Sequence, residues 1–197
     1  QHLMLNEHTD ASLLCCVDVD LSDQKRAHRD LEFATRFDRL THLPNRQTFE
    51  MDLDNLLESC RRVGNSLATL YLDIDHFVEI NDALGYDQGD RLLVELTRRL
   101  RECQRVTDLV SRVSSDEFVL AFPGGHLATN VERVVRRIQN VFRKPFVLDG
   151  RERQVTACLG VALFPDNGES SRELIRNADV AKNRAKLEGR GTVRFFQ

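Results

Sequence analysis

Apolar residues along the chain switch repeatedly between two periods. Leu67–Asp73 (LATLYLD) is a short apolar run ending in an acid and reads as a strand. Leu109–Val113 and Glu117–Phe122 read as two more, joined tightly at Ser114-Ser115. Gln154–Phe164 and Thr192–Phe196 complete the set. Between them the apolar positions recur at helical spacing: in Arg46–Arg62, in Asp90–Cys103 (Leu92, Leu93, Leu96, Leu100), in Ala128–Phe142 (Val131, Val134, Val135, Ile138, Val141) and in Ser171–Glu188. Leu43-Pro44-Asn45-Arg46 is a turn, because proline fixes its own backbone and disfavours helix just before it. Gly85–Gly89 reads as a loop. Strands alternating with helices around one central hairpin predict an α/β (α+β) sandwich, with a mixed, mainly antiparallel sheet flanked by helices.

The N-terminal stretch has a different texture. Ser12–Asp20 (SLLCCVDVD) reads as a strand with no preceding partner. Ser22–Arg39 reads as a helix capped by Ser22. That helix carries two apolar edges, Leu31 with Ala34, and Phe33 with Phe37 and Leu40. It would pack on its own domain or pair with another helix, its own copy included. The expected organisation is a remnant of an upstream domain (1–21), a linker helix (22–39) and a main domain (40–197). The first residue is Gln, so the chain is expected to be a piece of a longer protein.

Composition narrows the picture. Of the 197 residues, 30% are charged and 41% hydrophobic, which suits a soluble domain with a real core. The longest apolar runs are too short to cross a bilayer, and no signal peptide is visible. A net charge of -3 gives no overall footprint for nucleic acid. Arginines cluster locally, at Arg98, Arg99, Arg101 and Arg105 and at Arg133, Arg136 and Arg137, as a solvated helix face also would. Five cysteines, without metal-ligand spacing and mostly in apolar surroundings, read as buried thiols of a reducing cytoplasm.

The residues with chemistry lie at element ends. Asp73 and Asp75 close an apolar strand. A carboxylate and a backbone carbonyl there suit Mg²⁺, which prefers hard oxygen ligands, while Asp75 equally suits a helix cap. Asp116 and Glu117 follow a hairpin turn. If that hairpin neighbours the Asp73 strand, two carboxylates could hold two metal ions for in-line attack on a phosphate. Asn81 and Asp90 flank the Gly-rich segment, and an Asp can accept two N–H groups from a guanine edge. Lys186 and Arg190 close the last helix, where they could hold phosphates or answer the helix dipole.

Taken in order, L-T-x-L-P-N-R (Leu40–Arg46), D-I-D-H-F-x-x-I-N-D (Asp73–Asp82), G-Y-D-Q-G-D (Gly85–Asp90), R-x-x-D (Arg105–Asp108), S-S-D-E-F (Ser114–Phe118) and A-D-V-A-K-N-R-A-K-x-x-G-R (Ala178–Arg190) resemble the motifs of a GGDEF domain, the diguanylate cyclase family of bacterial cyclic-di-GMP signalling. The N-terminal strand and helix resemble the exit of a PAS-type sensor and its signalling linker.

The resemblance implies a nucleotidyl-cyclase-like fold and two facing domains that each hold a GTP and join them into cyclic di-GMP. It assigns Asp73, the Ile74 carbonyl and Asp116 to Mg²⁺ or Mn²⁺. Glu117 beside them would help activate the attacking hydroxyl, with Asp116 as its catalytic partner. Asn81 and Asp90 would read guanine. Ser114 and Ser115 would lie against the nucleotide, and Lys186 and Arg190 would hold its terminal phosphates. Arg105 and Asp108 would form a product-inhibition site for cyclic di-GMP, with Arg112 assisting. Implied partners are a second copy of the chain, an upstream sensor and a neighbouring EAL phosphodiesterase domain.

Three departures from the family pattern bear on activity. Ser114-Ser115 replace Gly-Gly, where glycine permits positive φ and close nucleotide approach; serine in a left-handed conformation costs about 1–2 kcal/mol per residue. Val78 stands where Lys is common. Lys182-Asn183 stand where an apolar residue and Tyr are usual. The expected function is therefore a degenerate GGDEF domain that binds GTP and metal and regulates a neighbouring domain, with weak or no cyclase activity. The alternatives are a working diguanylate cyclase and a non-catalytic dimerisation module.

Overall fold

The computed structural model describes residues 35–124 and 127–197, with the side chains of 127–130 left aside. The N-terminal strand and nearly all of the linker helix expected above lie outside the described residues, as do Cys15 and Cys16.

In chain order the elements are α1 (Arg46–Val63), β1 (Ser66–Ile74), α2 (Phe77–Leu84), α3 (Tyr86–Glu102), β2 (Leu109–Arg112), β3 (Glu117–Gly124), α4 (Leu127–Val141), β4 (Phe146–Leu148), β5 (Arg151–Arg153), β6 (Ala157–Phe164), α5 (Ser171–Glu188) and β7 (Val193–Phe195). Five strands form one sheet in the order β2-β3-β1-β6-β7. The pairs are antiparallel except β6 with β7. The mixed, mainly antiparallel sandwich predicted from periodicity is therefore the observed architecture.

The period-2 alternation of β1 divides the core. Ala68, Leu70, Leu72 and Ile74 point to one face and pack with Leu92, Leu93 and Leu96 of α3 and Val131, Val135 and Ile138 of α4. Leu67 and Tyr71 point to the other and pack with Phe49, Leu53 and Leu57 of α1 and Leu174, Ile175 and Ala178 of α5. Asp73 continues the second set, so its carboxylate emerges on the α1/α5 face. α5 can lie unusually close to the sheet because Gly160 of β6, in register with Tyr71, has no side chain. A Cβ there would fall 2.0 Å from the Ala178 carbonyl oxygen and 2.2 Å from the Lys182 amide.

Local chemistry sets the ends. Asn45 caps α1 by accepting from the Thr48 amide, Ser170 caps α5 through Glu173, and Gly189 ends α5. One expectation is corrected, and two elements were not anticipated. The Gly85–Gly89 segment is not a loop: Gly85, at φ 88°, is the whole break, and α3 begins at Tyr86. Gly89 sits inside that helix, where a Cβ would lie 1.9 Å from Asn81 Oδ1. The residues before it form a helix of their own, α2. The β4–β5 hairpin carried no periodic signal, because its strands are three residues each and β5 is fully exposed.

Candidate functional site

Strand register brings the acids together. β1 and β3 pair with Asp73 opposite Glu117, and the Ile74 amide donates to the Asp116 carbonyl at 3.2 Å. Residues directly opposite in an antiparallel pair share a face, so Asp73 and Glu117 both project beneath α5. Asp73, only 3% exposed, stands at the centre. Its Oδ2 accepts from Lys186 Nζ at 2.6 Å, while its Oδ1 is buried and finds no hydrogen-bond partner among the described residues.

Both oxygens of Glu117 are engaged. Tyr71 Oη donates to one at 3.0 Å and Lys182 Nζ to the other at 2.8 Å. Lys182 also pairs with Asp179 at 2.7 Å and lies 3.7 Å from Asp73 and 4.7 Å from the centre of the Tyr71 ring. It is 4% exposed. The charges follow this geometry. Burial and the nearby Asp116 charge push the Asp73 carboxyl up, against the bond from Lys186 and the field of Lys182. Burial would raise Glu117 too, but Lys182 and Tyr71 outweigh it and hold it below its usual range. Burial would lower Lys182, yet its bonds to Asp179 and Glu117 win and raise it.

The hairpin turn differs from its expected strain. Positive φ among the described non-glycine residues falls at His42, His76 and Asp149, not at Ser114 or Ser115. The serines are exposed and carry no left-handed cost. Their effect is chemical: Ser115 Oγ donates to Asp116 Oδ1 at 2.7 Å, and the Ser115 carbonyl accepts from Arg112 at 2.7 Å.

Asp75 does not cap α2. The N-cap is His76, without a side-chain cap bond. Asp75 instead accepts from Thr156 Oγ1 at 2.7 Å and the Gly191 amide at 2.8 Å, tying the end of β1 to the loop after α5. Arg190, on that loop, lies 3.5 Å from Asp75. Both cations expected at phosphates are thus drawn onto the acids of the Asp73–Asp75 segment. Asn81 Oδ1 is buried against Gly89 with no hydrogen-bond partner among the described residues, while Asp90 lies exposed one residue on along α3. Val78 is 65% exposed at the start of α2.

A second site lies at the C-terminal end of β3. A cavity of about 420 Å³ is lined by Arg105, Asp108, Phe122, Arg133, Arg136 and Arg137. Asp108 is buried and accepts from the Arg105 amide at 2.8 Å and from Arg137 Nη2 at 3.0 Å, so its salt-bridge partner is Arg137 rather than the Arg105 guanidinium. Arg137 stacks over Phe122 at 5.1 Å, and its Nε is buried without a hydrogen-bond partner among the described residues. Arg112 is not brought to this cavity. It pairs with Asp38 at 3.0 Å, and Asp38 in turn accepts from Thr41.

Sequence reasoning singled out the acids, Asn81 and the R-x-x-D pair but missed Lys182 as a member of the acid cluster and the role of Tyr71, and read Arg137 only as one of a local cluster of arginines. The available signal was spacing: Lys182 and Lys186 stand four apart on one helix face.

Among the described residues no group of three or more His, Cys, Asp or Glu side chains gathers as a ready metal cage. Two carboxylates and a carbonyl, one carboxylate oxygen buried without a partner, fit Mg²⁺ or Mn²⁺ entering with a phosphate ligand. Mg²⁺ usually keeps waters and takes one or two protein carboxylates. No helix among the described residues is long and apolar enough to cross a membrane.

Comparison with known proteins supplies a context. The model of the family "Diguanylate cyclase, GGDEF domain" matches residues 35–192. The chain is 40% identical over 183 residues to cyclic di-GMP phosphodiesterase NbdA of Pseudomonas aeruginosa, covering 91% of this chain and 23% of that protein. It is 36% identical over 175 residues to the bifunctional diguanylate cyclase/cyclic di-GMP phosphodiesterase MucR of the same organism, covering 87% and 25%. It thus spans about a quarter of the length of these curated relatives. A solved structure of the GGDEF domain of TpbB from Pseudomonas aeruginosa aligns with a TM-score of 0.78 at 35% identity, over 82% of this chain and 94% of that one.

Proposed function

The chain belongs to the GGDEF family of diguanylate cyclases, and on that premise we propose that it is a regulatory nucleotide-binding domain of cyclic-di-GMP signalling with weak or no cyclase activity. The observation that carries this reading is the engagement of the catalytic acids by the chain's own groups. Glu117 spends both oxygens on Tyr71 and Lys182, and Asp116 accepts from Ser115. A carboxylate so held is a poorer acceptor for a ribose hydroxyl proton, because the two donors lower its basicity and fix it against Tyr71 and Lys182. Rate is equally sensitive to placement, and about 1 Å of displacement costs about a hundredfold.

Binding is supported where turnover is not. Asp73, the Ile74 carbonyl and Asp116 would hold a divalent ion, which would supply neutralisation of phosphate charge. The buried Oδ1 of Asn81 would accept an N–H from the guanine edge, with Asp90 as the second acceptor. Lys186, turning from Asp73, and Arg190 would reach the phosphates. Arg105, Asp108 and the arginines of α4 would hold cyclic di-GMP, whose two phosphates match a cavity rich in guanidinium groups. In the full protein, in the bacterial cytoplasm, the helix over 22–39 would pair two copies and connect a sensor to this domain, and an EAL phosphodiesterase would read its nucleotide state.

Calorimetric titration of GTP with Mg²⁺ tests this. The wild-type domain is expected to bind, and Asp90→Ala to lose at least about tenfold in affinity as a guanine acceptor is removed. No heat with GTP in the wild type would leave only the cyclic di-GMP and dimerisation roles.

A further inference from the structure

We propose that Lys182 is a resident cation of the acid cluster, standing in for one of two divalent ions, so that the domain takes a single divalent ion with its triphosphate ligand. The inference rests on the metal and nucleotide reading given above and concerns how that site is charged.

The geometry of Lys182 is that of an ion in a cage. Its ammonium lies 2.8 Å from Glu117, 2.7 Å from Asp179 and 3.7 Å from Asp73, with the Tyr71 ring at 4.7 Å. Three carboxylates on three elements (β1, β3, α5) thus converge on one buried charge. An ordinary surface lysine makes one loose pair and keeps its head in water. This one is held against the sheet by the close approach of α5 that Gly160 permits, and its own amide lies 2.2 Å from where a Gly160 Cβ would be.

Charge decides how much room is left. Asp73, Asp116, Glu117 and Asp179 bring four carboxylates, and Lys182 and Lys186 two ammonium groups. With Lys186 turned to the phosphates and the rest ionised, the four acids and Lys182 leave three negative charges, one fewer than without Lys182, so the site draws cations less strongly. A second ion would approach Lys182 inside a few ångströms, where two like charges repel strongly in a partly dry site. The buried acceptor without a partner among the described residues is Asp73 Oδ1, whereas each Glu117 oxygen already accepts a bond. Lys186 differs, being 31% exposed on its side chain and bonded only to Asp73 among the described acids, so it can swing to a phosphate and leave Lys182 behind.

The test counts ions rather than product. Mn²⁺ bound per domain is measured by electron paramagnetic resonance in the presence of a GTP analogue whose α,β bridge is not cleaved. Wild type, Lys182→Leu and Lys182→Gln are compared. Leu restores an apolar side chain. Gln keeps a polar side chain able to hydrogen-bond and removes only the charge, so it serves if Leu disturbs the fold. The expected result is one Mn²⁺ in wild type and two in the variants, the second bound at least about tenfold more tightly than any second ion in wild type. Two Mn²⁺ with equal affinities in all three proteins would overturn the proposal while leaving the metal and nucleotide reading intact. Absence of bound Mn²⁺ and of analogue in all three would overturn both.

Discussion

The two ends of β3 meet charge in opposite ways. At its start, Glu117 and Asp116 are answered from within: by Lys182, Tyr71 and a serine hydroxyl. Near its far end, Phe122 floors a cavity toward which five charged side chains converge, four of them arginines, with the buried Asp108 as their only acid. One region resembles a site whose ligand has been replaced by side chains. The other resembles a site still shaped for an anion. The difference teaches that one strand can carry acids whose charge is answered by the chain's own side chains at one end and a guanidinium-lined cavity at the other.

The largest expected effect comes from breaking the filled region. Lys182→Ala leaves Glu117, Asp179 and Asp73 facing one another, and losing one partner of a buried charge set costs about 3 kcal/mol, the lower end for such changes because Glu117 is partly exposed. Thermal unfolding should show that loss in chelator and recover part of it in Mg²⁺, since an ion that binds the folded state alone stabilises it. Unchanged melting in chelator would mean that Lys182 is not held by the acids.

Next in size is the open region. Arg105→Ala should weaken cyclic di-GMP binding by about tenfold to a hundredfold, the worth of a charge-assisted hydrogen bond or two. GTP affinity should not move. Equal affinity for cyclic di-GMP in the variant would remove the cavity from the account.

Smaller still is the effect of the turn that leads into the filled region. Because Ser114 and Ser115 avoid positive φ, changing both to Gly should relieve no strain. It should cost up to about 1 kcal/mol per residue through added unfolded-state freedom. A rise in melting temperature would reveal strain after all. The same double change should raise turnover only when combined with Lys182→Leu, since Lys182 otherwise still holds Glu117.

The smallest effect lies on α3, away from both regions. The Arg98 bond, with Arg99 assisting against partial burial, holds the Glu95 carboxyl to about 2, below its ordinary 4.5. A depressed carboxylate stabilises the fold above its unfolded pKa and loses that contribution as pH falls through the folded one. The difference in stability between wild type and Glu95→Gln should therefore shrink from pH 5 towards pH 2. Arg98 is exposed and Glu95 partly so, and solvent screens the pair, so the difference should stay under about 0.5 kcal/mol.

Much of this was legible in the sequence. The sheet and its helices follow from periodicity, and the acids were visible as strand ends. Contact across the fold was not. Asp75 looks like a helix cap because Asp often is one; only the folded chain brings the loop of Gly191 to it. Arg137 is one of several arginines in α4 until Asp108 selects it. Lys182 reads as a disturbed packing position, because no local pattern tells that Gly160, more than twenty residues earlier in the chain, clears the space that lets α5 press it onto β1 and β3.

The most direct test of the central claim is product analysis of the wild-type domain held with saturating GTP and Mg²⁺, at a concentration where calorimetry shows the nucleotide bound. The account predicts bound GTP with little or no cyclic di-GMP or pyrophosphate over hours. Sustained release of both at several turnovers per minute, lost in Asp116→Ala, would contradict it and make this domain a working cyclase.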